Sequence, residues 1–373
     1  MNPLGLYIHV PFCERKCAYC DFYSLPAVVP ASRDRYVDAL VAEIRTKATH
    51  EPVATVFFGG GTPSVLTPAQ IGRILDALRA GFALAPEAEI SMEANPETVT
   101  GAAFRGYRAA GVNRVSLGVQ SLDDGILKVL GRIHDAARAR DAVLEAAAAG
   151  FTRLGADLMF GLPGQTAERW RADLREVLGW PIEHLSAYEF SVEPETPFAS
   201  QTHILPDEDA VLAMWDILLE ETSRAGFPQY EVSNYAKPGA ECRHNLVYWH
   251  DGEWLGFGAG AWSAREGVRT GNPRDLDRYL AGEAAGFPPA EADELPYDRQ
   301  AAETMVLGLR LREGVDLAAF EVRWGAVALA RLERILAEHL AAGRLERVSG
   351  RLRLTRAGLL VANDVWSDLV GTM

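Results

Sequence analysis

The 373-residue chain contains no apolar run of the ~18–20 residues that a membrane-spanning helix needs. Its first residues show no charged segment followed by an apolar one, which is the pattern of a secretory signal peptide. Basic residues are also few, because 37 Lys and Arg stand against 51 Asp and Glu, for a net charge of −14. We therefore expect a cytoplasmic protein without an integral membrane segment, and the acidic balance argues against a broad nucleic-acid-binding surface.

Cysteine is scarce too, but its distribution is uneven. Three of the four cysteines fall within the stretch Cys13-Glu-Arg-Lys-Cys17-Ala-Tyr-Cys20. Cytoplasmic cysteines stay reduced and can bind metals. An iron–sulfur cluster usually takes four cysteine ligands, so three thiolates on one loop would leave one iron of a 4Fe–4S cluster open to a small molecule. The spacing favours such a cluster.

Three other interpretations of these cysteines compete with the cluster. A zinc site with Cys242 as a distant fourth ligand is the strongest of them. A buried helical stripe is weaker, because Pro11 and the charged run Glu14-Arg-Lys16 do not suit it. A disulfide framework fails, since three clustered cysteines leave one unpaired and nothing indicates secretion.

Strand-like and helix-like segments alternate along the amino-terminal part of the chain. Short apolar runs, typical of parallel strands buried on both faces, are expected near Leu4–Val10, Val53–Phe58, Glu89–Glu93, Arg114–Gln120, Arg153–Phe160 and His184–Ser191. Helices are expected near Arg33–Thr49, Pro68–Phe82, Gly101–Ala110, Ala136–Ala149, Ala167–Leu178 and Asp207–Ala225. This alternation predicts an α/β fold. Six units favour an incomplete (β/α)6 TIM-like barrel, with an open doubly wound sheet as the alternative.

The composition changes after residue 227, and three domains are predicted: 1–227, 228–296 and 297–373. The segment 234–274, rich in Gly, Trp and Asn, is expected to cover the mouth of the barrel with loops and short strands, followed by a linker. Helical patterns then return, and Ser349-Gly350 separates two alternating runs typical of a β-hairpin. Helices followed by a hairpin predict a small winged-helix-like carboxyl-terminal domain, a fold that does not fix a function.

Polar residues stand where several predicted strands end, and barrels of this type place their chemistry there. Gly59-Gly-Gly61 and Thr62 follow the second strand and can expose main-chain N–H groups to an anion, although a tight turn would also use one or two glycines. Glu93 and Gln120 end the third and fourth strands, and Asp157 lies in the fifth. Any one of these residues is more simply explained by a structural ion pair or a helix cap. Together, however, they favour binding to one shared ligand.

The C-x3-C-x2-C spacing, preceded by Tyr7-Ile-His-Val-Pro-Phe-Cys13 and followed by Asp21-Phe22, resembles the radical S-adenosylmethionine (radical SAM) enzymes, in particular their coproporphyrinogen dehydrogenase-like branch. The resemblance implies a 4Fe–4S cluster on Cys13, Cys17 and Cys20, with SAM at the open iron. It also implies SAM contacts from Tyr7, Tyr19, Gly60, Gly61, Thr62, Glu93, Gln120, Arg132, Asp157 and Ser191. Arg132 is expected on the methionine carboxylate, and Gln120 and Asp157 on ribose hydroxyls.

A second motif reads Cys242-Arg-His244-Asn245-Leu-Val-Tyr248-Trp249, and its His-Asn-x-x-Tyr-Trp resembles the mark of the HemW-type heme chaperones in this family. The resemblance implies heme as a third bound group, at a site formed by His244, Asn245, Tyr248 and Trp249. His244 offers an imidazole for heme iron, with Cys242 as a rival ligand, and the two aromatic residues offer flat surface. Taken by itself, such a motif is more often a hydrogen-bonded cover of a barrel mouth.

Two functions of the resembled family compete. The true dehydrogenases carry a further cysteine and a long preceding segment, whereas Phe22 stands at that position here and only twelve residues precede Cys13. A heme chaperone that delivers heme to heme-accepting proteins is therefore the preferred function, and an oxygen-independent coproporphyrinogen III dehydrogenase is the alternative. Whether SAM is cleaved stays open, as does the oligomeric state, with a homodimer among the options. A zinc-stabilised DNA-binding protein is a third hypothesis, which the acidic balance disfavours.

Overall fold

The computed structural model describes residues 4–26, 29–200 and 205–371. The strands are β1 (Leu4–Val10), β2 (Phe12–Cys13), β3 (Leu25–Pro26), β4 (Pro52–Gly60), β5 (Ala83–Ala94), β6 (Arg114–Gln120), β7 (Arg153–Phe160), β8 (His184–Glu189), β9 (Gln229–Glu231), β10 (Asn234–Ala236), β11 (Trp254–Phe257), β12 (Trp262–Arg265), β13 (Val268–Gly271), β14 (Glu291–Glu294), β15 (Val315–Asp316), β16 (Leu345–Val348) and β17 (Arg351–Leu354). The helices are α1 (Pro30–Thr46), α2 (Pro68–Gly81), α3 (Gly101–Ala110), α4 (Asp124–Leu130), α5 (Ala136–Ala148), α6 (Ala167–Leu178), α7 (Glu208–Arg224), α8 (Arg243–Trp249), α9 (Leu276–Ala281), α10 (Tyr297–Leu309), α11 (Leu317–Ala341), α12 (Arg356–Leu360) and α13 (Ala362–Gly371). A search of the described ranges finds no helix that combines the length and the apolar character needed to cross a membrane.

The main sheet is mixed and runs in the order β14-β13-β12-β11-β1-β4-β5-β6-β7-β8-β10-β9. Its centre, from β1 to β8, contains only parallel neighbours. These six central strands are the six that the sequence predicts, although β5 begins earlier and β8 ends earlier than expected. A doubly wound sheet reverses its strand order near the middle, whereas this order runs in one direction. The predicted incomplete (β/α)6 barrel is therefore confirmed.

The helices that connect the central strands bury one apolar face against the outside of the sheet. α2 buries Ile71, Ile74 and Leu78, and it begins at a capping box in which Thr67 and Gln70 bond each other's main chain. α3 ends at Gly111, whose φ of 118° suits a residue without Cβ. The local signals for helix ends thus agree with the ends observed.

The inner face of the barrel keeps some accessible surface, while the outer face of each strand is buried. Successive side chains of a strand point to opposite faces, and the partly accessible side chains of the central strands lie on the inner face. They include Tyr7 in β1, Phe57 in β4, Glu93 in β5, Ser116 and Gln120 in β6, and Asp157 in β7. The barrel interior is therefore lined by polar and aromatic groups that a ligand can reach.

The segment 234–274, for which the sequence predicts loops and short strands over the mouth of the barrel, contributes strands to both edges of the main sheet. β9 and β10 extend the sheet beside β8, and β11 to β14 extend it beside β1. β14 also lies within the stretch expected to be a linker. The open edges of a partial barrel carry unpaired main-chain groups, and added strands satisfy them. The predicted three-domain division stays a prediction.

The carboxyl-terminal helices enclose a second cluster of buried apolar side chains, separate from the core of the barrel. It includes Met305, Leu309, Leu332, Leu336, Leu352 and Val365. The predicted hairpin is formed by β16 and β17, which pair on either side of Ser349 and Gly350, and β15 joins them. α11 contains a kink at Gly325, which has a φ of 81°. Helices followed by a hairpin give the winged-helix-like arrangement.

A fully buried carboxylate, Glu43 of α1, ties this helix to the segment after β11. It accepts hydrogen bonds from the main-chain N–H of Gly258 at 2.8 Å, from Asn272 Nδ2 at 2.7 Å and from the Tyr279 hydroxyl at 2.7 Å. The Lys47 ammonium lies 2.6 Å away and balances its charge. A buried charge with this many donors is stabilising only while every partner remains.

We predict that Glu43→Ala destabilises the protein by about 3–5 kcal/mol, because it leaves buried donors without an acceptor. Urea unfolding followed by circular dichroism measures the change. Glu338→Ala, at an exposed position of α11, is the matched control and should change stability little. Equal stability of both variants would contradict this role of Glu43.

Candidate functional site

The three clustered cysteines lie at the carboxyl end of β1, where the central strands open to solvent. Cys13, in β2, is buried, and Cys17 and Cys20 are partly buried. Two side chains from other elements reach these thiols. Thr62 Oγ1 lies 3.4 Å from Cys13 Sγ, and Arg132 Nη1 lies 3.5 Å from Cys17 Sγ. The cysteine loop thus meets two residues that the sequence analysis predicts at a SAM site.

The cysteine loop suits a cluster better than it suits a single metal ion. Burial raises the pKa of the Cys13 thiol and raises the pKa of the Cys20 thiol to about 11, so both keep their protons in the ligand-free protein and would release them to a bound metal centre. Over the described residues, no three His, Cys, Asp or Glu side chains converge on one ion. An iron–sulfur cube takes each thiolate on a different iron, so it needs three separate thiols on one loop. The residues present fit that group.

Cys242 lies apart from the cysteine loop, and the alternative zinc site is not assembled. Its Sγ is 3.7 Å from Glu89 Oε1, and burial raises the pKa of this thiol to about 12. Glu89 pairs with Thr55 in the middle of β4, well before the carboxyl ends of the strands. The cysteine loop follows the carboxyl end of β1, which runs parallel to β4. Cys242 is therefore at the opposite end of the barrel.

The glycine-rich turn after β4 packs directly against the cysteine loop. Gly60 has a φ of 110°, which favours glycine. A Cβ atom on Gly61 would lie 2.7 Å from the Phe12 carbonyl oxygen and 3.1 Å from Cys13 Sγ. A larger residue there would separate the turn from the loop, so both glycines are required for this close approach.

Glu93 and Asp157 face each other inside the barrel. Burial, followed by the charge of Asp157, raises the pKa of Glu93 to about 8, while a hydrogen bond from the Gly60 main chain acts against this. Burial also raises the pKa of Asp157, whose Oδ1 accepts a hydrogen bond from Ser116 Oγ at 2.9 Å. Two carboxylates this close repel each other when both are ionised. A positively charged or hydroxyl-bearing ligand between them would relieve that repulsion.

Arg132 connects the cysteine loop with the ends of β5 and β6. Its Nη2 donates to Asn95 Oδ1 at 2.7 Å and to the Gly118 carbonyl at 2.9 Å, while its buried Nε has no partner within the described residues. Gln120 ends β6 with a φ of 67°, a conformation that non-glycine residues rarely adopt away from functional sites. A Cβ on Gly118 would contact Asn95, Gln120 and Arg132. These side chains therefore surround one point at the mouth.

Asn95 is the residue of this group that the sequence analysis missed. Its Nδ2 donates to Thr62 Oγ1 at 3.0 Å, and it accepts from Arg132. It stands two residues after Glu93, so its position just beyond a strand end is the signal that could have found it. Asn95 thus joins the glycine turn to the arginine.

The remaining predicted SAM residues are placed unequally. Tyr7 lines the barrel interior, and its hydroxyl lies 3.1 Å from His9 Nδ1. Tyr19 packs against a small apolar cluster that contains Leu130, the last residue of α4, beside the cysteine loop. Ser191 is exposed, and its hydroxyl donates to Glu193 at 3.0 Å. Tyr7 thus lies inside the barrel, Tyr19 lies beside the cysteine loop, and Ser191 lies in the segment that follows the carboxyl end of β8.

The His-Asn-x-x-Tyr-Trp motif forms α8, which is anchored at its start by a buried carboxylate. Glu89 accepts hydrogen bonds from the main-chain N–H groups of Arg243 and His244 at 3.3 and 3.1 Å. A negative charge at a helix amino terminus is favourable because the first N–H groups are unpaired and the helix dipole is positive there. Arg114, 3.6 Å from Glu89, balances the charge.

His244 points into the protein. Its ring has no exposed surface, its Nδ1 lies 2.9 Å from Thr55 Oγ1, and its Nε2 lies 2.8 Å from the Tyr248 hydroxyl. Burial lowers the pKa of His244 to about 3, so the ring is neutral. In this arrangement protein oxygens occupy both ring nitrogens, so His244 offers no free imidazole, and its role as a ligand of heme iron stays a prediction. Cys242, the rival ligand, is equally enclosed.

The other motif residues lie nearer the surface. Asn245, Tyr248 and Trp249 are partly exposed. The Tyr248 ring meets that of Trp254 edge-on, with 4.8 Å between the centroids. The Arg310 guanidinium lies 4.3 Å from the centre of the Trp249 ring. Their outer surfaces remain accessible to a flat ligand.

Comparisons with known proteins match this geometry to one family. Residues 7–177 match the model of the Radical SAM superfamily, and residues 295–361 match that of the HemN C-terminal domain. The chain is 40% identical to the heme chaperone HemW of Mycobacterium tuberculosis, over 99% of this chain and 95% of the relative. It is 37% identical to that of Escherichia coli, over 98% and 97%. A solved coproporphyrinogen III oxidase (HemN) from Escherichia coli superimposes with a TM-score of 0.87 at 25% identity, covering 100% of this chain and 91% of that one.

We predict that Glu93→Gln stabilises the ligand-free protein at alkaline pH. The native pKa of Glu93, about 8, exceeds its ordinary value of 4.5, so the native state holds a proton that the unfolded state has lost. Stability therefore falls as pH rises from 4.5 towards 8, and the neutral glutamine avoids this loss. In thermal unfolding the variant should be more stable than the wild type by on the order of 1–3 kcal/mol at pH 9, and the two should be almost equally stable at pH 4.5.

Glu87→Gln, at an exposed position of the same strand, is the matched control for the charge change. An equal response of both variants across this pH range would show that Glu93 is not the group responsible.

Proposed function

The chain belongs to the HemW family of heme chaperones, with a radical SAM fold, and we propose that it binds a 4Fe–4S cluster, SAM and heme and delivers the heme to acceptor proteins in the cytoplasm. The observation that supports this most is the similarity to relatives named heme chaperone, which extends over nearly the whole of both chains. The proposal assigns a task to the cysteine loop, to the barrel interior and to α8.

In this proposal Cys13, Cys17 and Cys20 hold the cluster, whose remaining iron takes SAM. When bound, cluster and SAM together supply one-electron chemistry. Arg132 suits the methionine carboxylate, because its buried Nε–H has no hydrogen-bond partner among the described residues and can donate to an added carboxylate. The ten SAM contacts named from the sequence remain part of the proposal, with Ser191 the least supported because of its exposure.

Gly60 and Gly61 have a second task in this proposal, because a main chain without Cβ atoms can approach a ligand closely. Glu93 and Asp157 would receive positive and hydroxyl groups of SAM, and their mutual repulsion would then be relieved. Binding of a cation beside Glu93 would favour its ionised form. SAM binding would therefore release a proton below pH 8.

We further propose that heme binds at the surface of α8, where Asn245, Tyr248 and Trp249 are partly exposed. Tyr and Trp suit a porphyrin because they combine flat apolar surface with a polar edge. His244 would act from inside by holding α8 against β4 through Thr55 and by orienting Tyr248 of the same helix. Partner proteins that accept heme, and a homodimer as one assembly, complete the proposal.

A second function, oxidative decarboxylation of coproporphyrinogen III, draws support from the likeness to the solved HemN structure. Against it stands Phe22, which occupies the position of the dehydrogenases' further cysteine and is 66% exposed. The two functions differ in what happens to the porphyrin. A chaperone releases heme unchanged, whereas a dehydrogenase releases carbon dioxide and a changed porphyrinogen.

We predict that Cys17→Ser removes the cluster, because the hydroxyl of serine does not replace a thiolate on iron. Iron and acid-labile sulfide, measured after anaerobic reconstitution, should fall to near zero. Cys242→Ser, at the buried cysteine of the opposite barrel end, is the matched control and should keep both. Full iron and sulfide in the Cys17 variant would exclude this cluster site.

We also predict that anaerobic incubation with SAM and a reductant leaves heme unchanged and transferable to an apo-hemoprotein. The parallel incubation with coproporphyrinogen III should yield no decarboxylated product by mass spectrometry. Decarboxylated product together with failure to transfer heme would contradict the chaperone function and support the dehydrogenase function.

A further inference from the structure

The accessibility of imidazole rings restricts where a histidine of this chain can bind heme iron. Most of the histidines in the described ranges are buried: His9, His134, His184, His244 and His339. Of the histidines that the structure describes, His50 and His250 have exposed side chains. His250 directly follows Trp249, at the C-cap of α8. An exposed imidazole therefore stands beside the proposed heme surface.

His250 lines a groove between α8 and the carboxyl-terminal helices, with a volume of about 390 Å³. Sites for cofactors commonly measure about 300–1,000 Å³ and combine apolar walls with a few polar groups. This groove has the same composition. Besides His250, it is lined by Trp249, Leu311, Val315, Phe320, Arg323 and Arg351.

The His250 ring is free in the way that His244 is not. Its side chain is 46% exposed, and its Nε2 lies 3.8 Å from Glu313 Oε1, which is longer than a hydrogen bond. By contrast, both nitrogens of His244 have partners within 2.9 Å. A metal can reach His250 Nε2 without breaking a hydrogen bond of the folded chain.

The groove lining also contains two arginines, Arg323 and Arg351, beside two carboxylates, Glu313 and Asp316. The Arg323 side chain is 49% exposed and pairs with Asp251 at 2.8 Å. The Arg351 side chain is 32% exposed and lies 3.3 Å from Glu313. A guanidinium has five N–H donors, so each arginine can bind a further carboxylate while it keeps its present partner.

We propose that His250 is an axial ligand of the heme iron, with the porphyrin in this groove against Trp249 and its propionates near Arg323 and Arg351. This assignment rests on the proposed heme-chaperone function and adds the ligand that His244 and Cys242 do not supply. In the binding step the Nε2 lone pair forms a coordinate bond to the iron, and the oxidation state of the iron does not change. His250 thus contacts the heme directly, whereas His244 positions α8.

The test is a titration of the full chain with ferric heme, followed by the Soret absorbance. His250→Ala should shift the Soret band and weaken binding on the order of tenfold or more, because an iron ligand is lost. Added free imidazole should restore the wild-type spectrum of this variant by occupying the vacated position. Thermal unfolding identifies any variant that has failed to fold, and His250→Gln then serves in place of His250→Ala.

His50→Asn is the matched control, since it removes the other exposed histidine and asparagine tolerates the positive φ of 55° at that position. It should bind heme as the wild type does. If His250→Ala keeps both the wild-type spectrum and the wild-type affinity, the assignment of His250 is overturned while the chaperone function stands. If the wild-type chain itself binds no heme, the proposed function fails.

Discussion

The arrangement of the barrel mouth depends on one buried guanidinium, that of Arg132. It lies 3.5 Å from Cys17 Sγ and donates to Asn95 Oδ1 and to the Gly118 carbonyl. Because a guanidinium carries five donors in one plane, a single side chain can join the cysteine loop, the end of β5 and the interior of β6. This contact ties the Cys17 thiol to β5 and β6.

A continuous series of rings connects the mouth with the opposite end of the barrel. The Phe57 ring lies 6.3 Å from that of Tyr7 and 5.2 Å from that of His244, and the Tyr248 ring lies 5.0 Å from His244. Such ring pairs stabilise a core beyond the apolar area that they bury. The His-Asn-x-x-Tyr-Trp motif therefore belongs to the inner packing of the barrel at His244 and to the surface at Trp249.

The carboxyl-terminal helices also contact the surface of α8 at Trp249. Arg310, at the C-cap of α10, lies over the ring of Trp249, and its guanidinium is 5.1 Å from the ring of Trp366 in α13. Glu231, in β9, lies 3.8 Å from the same guanidinium. Arginine between two indoles combines cation–π attraction with apolar contact. Trp249 of α8 therefore lies at the junction of the barrel and the carboxyl-terminal helices.

The sequence by itself determined the alternation of six strands and helices, the barrel class, the three-cysteine loop and the resemblance to one family, because periodicity and close spacing are local properties of the chain. The structure decided that 228–296 pairs along both sheet edges, that Asn95 joins the mouth and that His244 faces inward. These features depend on residues far apart in sequence: Glu89 and Thr55 hold α8 across more than a hundred residues of chain. Whether a polar side chain is free or enclosed is set by such distant partners, and no local pattern contains that information.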